Sequence, residues 1–238
     1  MTTNLATPGR ALAIAAHPDD VEFGCGGTLA KWAATGCTLH HLVLTDGSKG
    51  SWDPAEDTVA LVARRQDEQR AASRAVGGGG DVTFLGWPDG ELECGRREQR
   101  AVAAVIRRVR PDVVLGHDPW RRYRLHPDHR NAGFVTTDAI VAARDPHFFP
   151  ELADPPHRPT ALLLWEADEP DHTEDIAGFV DTKVAALLEH RSQWRSTMHV
   201  ENEADTASFA ARIATRAADA AANTAFAHAE RFKLLTDI

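Results

Sequence analysis

The sequence predicts an α/β fold, Rossmann-like in layout, with a mostly parallel sheet flanked by helices on both faces. Three observations carry that reading. Short apolar runs alternate with segments of helical period along the whole chain. One of these runs, residues 11–16, is apolar throughout, as in a strand buried on both sides. Polar clusters follow directly on predicted strand ends, where open α/β sheets bind their ligands. With 238 residues, 43% hydrophobic and 26% charged, the chain reads as a single domain covering residues 1–238.

Taken in order, the first strand ends in Ala16-His17-Pro18-Asp19-Asp20, and Gly24-Cys25-Gly26-Gly27 leads into a helical segment over residues 28–34. Residues 39–45 form the second strand and empty into the polar loop 46–51. A charged amphipathic helix over 54–76 is stopped by the glycine run 77–80. Residues 81–87 give a third strand, closed by the turn Pro88-Asp89-Gly90. Val102, Val105, Ile106 and Val109 recur at helical spacing within 96–110, and Pro111 ends that helix. A short strand, 112–116, delivers His117-Asp118 and a loop with Trp120 and Tyr123. His126-Pro127-Asp128-His129 then opens a helix running to about residue 144. Residues 145–159 read as a Pro-rich surface excursion, 161–165 as a strand, 175–194 as a helix and 205–235 as one long Ala-rich helix.

The formal net charge of -9, with no long run of either sign, argues against a nucleic-acid partner, which needs a basic footprint. No apolar run approaches the length of a membrane span. Residues 1–10 lack a signal-peptide pattern, and three scattered cysteines (Cys25, Cys37, Cys94) make no disulfide framework, so a cytoplasmic setting is expected. Homo-oligomerisation is left open. The glycines at 24–27 lack the full spacing of a dinucleotide loop, and the two carboxylates ahead of them would repel a pyrophosphate.

The two His-Pro-Asp clusters carry the chemistry. Each alone reads equally well as a turn and helix cap; together they supply two imidazoles and a carboxylate from separate loops, a donor set that suits zinc or a similar divalent ion such as Fe2+ or Co2+. The expected ligands are His17, Asp20 and His129, leaving an open position for water. Asp19 is then the candidate general base. His126, one helical turn before His129, is the candidate imidazolium that stabilises an oxyanion or protonates a leaving amine, with Asp128 orienting it.

These residues resemble the PIG-L or LmbE-like family of zinc-dependent N-deacetylases. The resemblance extends through Arg65-Gln66-Asp67-Glu68, Leu85 to Leu92, Arg110 to Val114, and a late segment with Lys183, His190, Ser192 and Gln193. It implies hydrolysis of an N-acyl, mainly N-acetyl, group on an amino sugar or sugar-like conjugate, with zinc held as above. It also implies Asp19 as base, His126 assisting the transition state, and substrate-sugar contacts from Arg65 and Asp89. Read without the family, Arg65 is equally an exposed helical charge paired with Glu68, and Asp89 a plain turn residue. His190, Ser192 and Gln193 read as a cap or packing cluster. His117 is a minority candidate for lining the site, and Trp120 and Tyr123 for a stacking wall. The loops 46–52, 120–125 and 145–159 are expected to set specificity. Two rivals stand beside this reading: an amidase of a thiol-sugar conjugate within the same family, and a non-haem Fe(II) oxygenase using the same two-His, one-carboxylate set. The α/β pattern disfavours the oxygenase.

Overall fold

Strands too apolar to face water on either side dictate a sheet covered on both faces. In the computed structural model, which describes residues 1–79 and 81–238, the chain forms β1 (Thr2–Thr3), β2 (Arg10–Ala15), α1 (Asp20–Ala34), β3 (Thr38–Thr45), α2 (Thr58–Ala75), β4 (Val82–Trp87), α3 (Arg96–Val109), β5 (Val113–His117) and α4 (Pro127–Arg144). It continues with β6 (Ala161–Trp165), β7 (His172–Asp175), α5 (Val180–Leu188), α6 (Thr206–Ala220) and β8 (Ala229–Thr236). One eight-stranded sheet results, in the order β1-β7-β8-β6-β5-β2-β3-β4. All neighbours are parallel except β8, which runs antiparallel to both β6 and β7. The α/β, mostly parallel architecture is the one expected.

β2 shows how the two layers are specified. Leu12 and Ile14 pack with Val102, Ile106, Val135 and Ile140 of α3 and α4. Ala11, Ala13 and Ala15 face the other way, toward Val21 and Leu29 of α1, Ala72 of α2 and Ala186 of α5. Alternate side chains of one strand thus build two cores, and every residue from Ala11 to Ala15 is fully buried. After β2 the chain moves to β3 and β4 on one side, then returns to β5 on the other. The strand order reverses between β2 and β5, and a reversal of that kind opens a crevice at the carboxyl ends of the strands. Both His-Pro-Asp clusters leave the sheet there.

Three expectations need correction. The first helix begins at Asp20, not at residue 28, so the glycines at 24–27 lie inside α1. Packing explains them: a Cβ on Gly24 would stand 2.5 Å from the Trp165 ring, and one on Gly27 would stand 2.7 Å from Ile176. The expected helix over 175–194 is α-helical only over α5; Asp175 closes β7, and a 3-10 turn (Arg191–Gln193) and a π-helical turn (Trp194–Met198) follow. The expected long C-terminal helix stops at Ala220, and its second half is β8, inserted between β6 and β7 with Phe232 fully buried. Of the glycine run that stops α2, Gly80 lies outside the described residues; Gly77, at φ +89°, makes the turn. No helix among the described residues is long and apolar enough to cross a membrane.

Gly24→Ala therefore forces a close-packed backbone off Trp165. The expected cost is about 1–3 kcal/mol of stability, as for other overpacked core positions, read as a lower urea midpoint with unchanged m-value. An unchanged midpoint would contradict the packing account.

Candidate metal centre

The loop between β2 and α1 carries His17, Pro18 and Asp19, while the N-terminus of α4 carries the second cluster, with Pro127 at the first helical position. Because β2 and β5 are neighbours, these segments meet over the crevice. His17 Nδ1 lies 3.2 Å from His129 Nε2 and 3.4 Å from Asp20 Oδ2. His129 Nε2 lies 3.3 Å from Asp20 Oδ1. Tetrahedral bonds of 2.0–2.2 Å separate their ligand atoms by roughly 3.3–3.6 Å, so the spacing suits one small divalent ion. One ligand atom from each of the three residues lies within 4.8 Å of the others.

The surroundings decide which atoms are free to bind it. His17 Nε2 faces Asp128 Oδ2 and Asp89 Oδ1, each at 3.1 Å, so its proton belongs on that side and the Nδ1 lone pair points to the centre. Asp20 Oδ2 accepts the His17 backbone N–H at 2.8 Å and faces His117 Nε2 at 3.2 Å, leaving Oδ1 toward His129. The Trp165 indole N–H can only donate, and it reaches His117 Nδ1 at 3.0 Å. His117 is thereby fixed as the tautomer that donates from Nε2 to Asp20, and burial pulls its pKa down to about 4. Alternative triads are less apt. His17 Nε2 with Asp89 and His126 would use a nitrogen already committed to Asp128, and Glu166, near His117 and His129, is paired with Arg121 and Arg124.

Electrostatics favour a cation. Burial alone would lower the His17 pKa, but Asp128, Asp20 and Asp89 together hold it well above the usual imidazole value. Asp20 is buried too, yet His129 and His117 hold its carboxyl well below the usual range. Asp19 differs: burial pushes its pKa up to about 6, Arg65 opposes this and Asp20 reinforces it. Its backbone sits at φ +102°, a left-handed conformation costly for a residue with a side chain.

Other predicted site residues fall where the sequence did not indicate. Asp128 is fully buried and does not orient His126. Its oxygens accept the N–H groups of Gly90 (2.6 Å) and Leu92 (3.2 Å) and meet His17. Asp89 likewise backs His17 and accepts the Lys49 N–H. Although burial works against it, its bond to His17 brings its pKa down to about 2. Arg65 is 3% exposed, donating to the carbonyls of Pro18 (2.6 Å) and Gly47 (2.8 Å) with its guanidinium 3.7 Å from Asp19. It is not an exposed charge paired with Glu68, which bonds Ser192 instead. His126 is exposed, stacked on His129 at 4.6 Å and edge-on to His17 at 4.7 Å. Burial, His17 and His129 hold its pKa below the usual value, which works against the imidazolium expected there.

His17, Asp19, Asp20, Arg65, Asp89, His117, His126 and His129, but not the buried Asp128, line a cleft of about 540 Å³, in the range of small-molecule sites. Phe23, Lys49, Trp165, Glu166, Gln193 and Thr197 complete its walls. Of the three expected specificity loops, only 46–52 contributes to the lining; Trp120 and Tyr123 stand outside it at 60% and 87% exposure. Sequence reasoning passed over Glu22 and Gln69 and left His190 as packing. All three are fully buried behind Asp19, and the only signal for them was position: Glu22 two residues after Asp20, Gln69 one turn after Arg65.

The α/β domain thus brings a possible His/His/Asp metal site to its switch point, and comparison with known proteins shows what the chain is similar to. Residues 12–140 match the family model "PIG-L: GlcNAc-PI de-N-acetylase". The diacetylchitobiose deacetylase of Thermococcus kodakarensis is 34% identical over 190 residues, 78% of this chain and 70% of that one. The 1D-myo-inositol 2-acetamido-2-deoxy-alpha-D-glucopyranoside deacetylase of Streptomyces avermitilis is 34% identical over 61% of this chain and 58% of its own length. The structure of N,N'-diacetylchitobiose deacetylase from Pyrococcus horikoshii, complexed with its inhibitor MPG, superposes with a TM-score of 0.86 at 26% identity, over 96% of this chain and 84% of that one. The chain belongs to the PIG-L family, whose matched relatives are deacetylases of GlcNAc-containing substrates. The fold alone does not name the reaction: 4-carboxy-2-hydroxymuconate hydratase from Pseudomonas putida superposes with a TM-score of 0.76 at 21% identity, covering 96% of this chain and 97% of its own.

Equilibrium dialysis against Zn2+ is expected to load one ion per chain. His17→Ala, Asp20→Ala and His129→Ala each lose more than the roughly 10–100-fold in affinity typical of outer partners, whereas His126→Ala keeps the ion. Because a proton on His17 competes for Nδ1, affinity rises with pH. Tighter binding at pH 5 than at pH 8 would contradict the assignment.

Proposed function

We propose that the protein is a metal-dependent N-deacetylase that hydrolyses the acetamido group of an amino sugar or sugar conjugate to acetate and free amine. The observation that carries this is that Asp19 and His126 line the same cleft as the His17-Asp20-His129 centre. The deacetylase activities of the family's matched members support it.

A divalent ion at the centre, zinc by the donor set, supplies Lewis-acid polarisation of the amide carbonyl and acidifies water. The chain's own groups do the rest. Of the cleft carboxylates, Asp20 serves as a ligand, Asp89 is bonded to His17 and Glu166 is paired with Arg121 and Arg124. That leaves Asp19, whose elevated pKa makes it a competent proton acceptor near neutral pH. It takes the proton of the attacking water. His126 donates its ring N–H as a hydrogen bond to the oxygen on which charge develops, and the proton taken by Asp19 passes to the departing amine. Asp89 and Asp128 keep His17 oriented, and His117 keeps Asp20 so. Arg65 holds the loop of Asp19 through the carbonyls of Pro18 and Gly47.

Asp19→Asn is expected to keep the ion yet lower kcat by about 10²–10⁴-fold, the range for a general base. In the native protein, incubated with zinc and N-acetylglucosaminyl substrates, acetate and free amine should appear in equal amounts without oxygen. Wild-type turnover by the ion-loaded variant would remove Asp19 from the reaction, and amine-free hydration of an alkene substrate would transfer the chain to hydratase chemistry.

The base acts only as the carboxylate, so activity falls as pH drops. A bound dication would draw the Asp19 pKa down from its raised value, so the acid limb of kcat/KM is expected no higher than about pH 6. A limb at pH 7 or above would assign the proton transfer to another group.

A further inference from the structure

Behind Asp19 lies a fully buried polar chain that never reaches the cleft. Gln69 Oε1 accepts the Asp19 backbone N–H at 2.9 Å, and Gln69 Nε2 donates to Glu22 Oε1 at 2.8 Å. The other Glu22 oxygen meets His190 Nε2 at 3.1 Å, and His41 Nδ1 lies 3.7 Å from Oε1. Glu22, Gln69 and His190 are 0% exposed and His41 is 1% exposed, and none of the four lines the cleft. They cannot touch a substrate there.

A carboxylate with no water around it costs more than an apolar side chain of its size, and such groups persist where they specify a particular arrangement. The arrangement here is local. An amide N–H only donates and an ionised carboxylate only accepts, so the Gln69 amide has a single orientation that serves both partners. With that orientation locked, its oxygen grips the one peptide N–H in the loop whose residue sits at φ +102°. Arg65, one turn earlier on α2, holds the preceding carbonyl of Pro18.

We infer that Gln69, oriented by Glu22 and His190, is a positioning residue that holds the left-handed backbone of Asp19 and so aims its carboxylate into the cleft. This rests on Asp19 being the base in the reading above. The β2–α1 junction therefore carries ligands and base together, and α2 holds it at Asp19.

The test uses the full-length, zinc-loaded protein. Gln69→Leu, which fills the space without either hydrogen bond, is expected to lower kcat by about 100-fold, the cost of roughly 1 Å of misplacement. KM stays within about twofold and one ion per chain is retained, which a general loss of packing would not produce. Gln69→Glu alone sets two carboxylates face to face and is at least as impaired. Glu22→Gln combined with Gln69→Glu restores an acceptor for the Asp19 N–H and a donor between positions 22 and 69. It is expected to recover kcat to within about tenfold of wild type. That pair carries the test where Gln69→Leu fails to fold.

Amide exchange at Asp19 gives a readout independent of turnover, and is expected to speed up at least about tenfold in Gln69→Leu and to return toward wild type in the pair. Unchanged kcat and unchanged exchange in Gln69→Leu would overturn the inference, as would a folded pair with no recovery in either. Absence of amine release by the wild type would instead defeat the hydrolase reading, and the hold on Asp19 would then be judged by exchange alone.

Discussion

One carboxylate, that of Asp128, ties the site together. It enters from the first turn of α4, where the helix dipole favours a negative charge. From there it takes two N–H groups of the turn after β4 and, across the crevice, the Nε2 side of His17. Three loops far apart in sequence are thereby brought to one point. The same contact decides which His17 nitrogen is left for a ligand. Removing it would free the imidazole to turn and leave two peptide donors buried without a partner.

The centre is also a collection of negative charge that the protein itself does not balance. Asp20, Asp89 and Asp128 all approach His17, with Asp19 beside them, while Arg65 supplies the nearest fixed cation. Such a nest is expensive when empty of counter-charge, and a dication offsets the repulsion at once. Functional strain and electrostatic strain therefore share one loop. Asp19 bears an unusual backbone, and its neighbour Asp20 is the proposed ligand.

Much of this was legible in the sequence, for identifiable reasons. The inner strands β2, β5 and β6 are short and mainly apolar, so they and the helices between them could be read locally. The two His-Pro-Asp clusters declared their chemistry by residue type, and their meeting follows from the switch point between β2 and β5. What could not be read depends on partners far away in the chain. β8 looks like the end of an Ala-rich helix until β6 and β7 leave a gap for it. Asp128 follows His126 by two residues, yet its partner is His17, 111 residues earlier. Arg65 and Gln69 carry helix propensity and nothing more; only the packing of α2 beneath the first loop turns them inward.

The central claim is that a single ion sits among His17 Nδ1, Asp20 Oδ1 and His129 Nε2, and anomalous diffraction from crystals of the zinc-loaded protein tests it most directly. The account predicts one strong peak about 2.0–2.2 Å from each of those three atoms, with His17 Nε2 still turned toward Asp128. A peak bonded to His17 Nε2, or one displaced from His129, would contradict it.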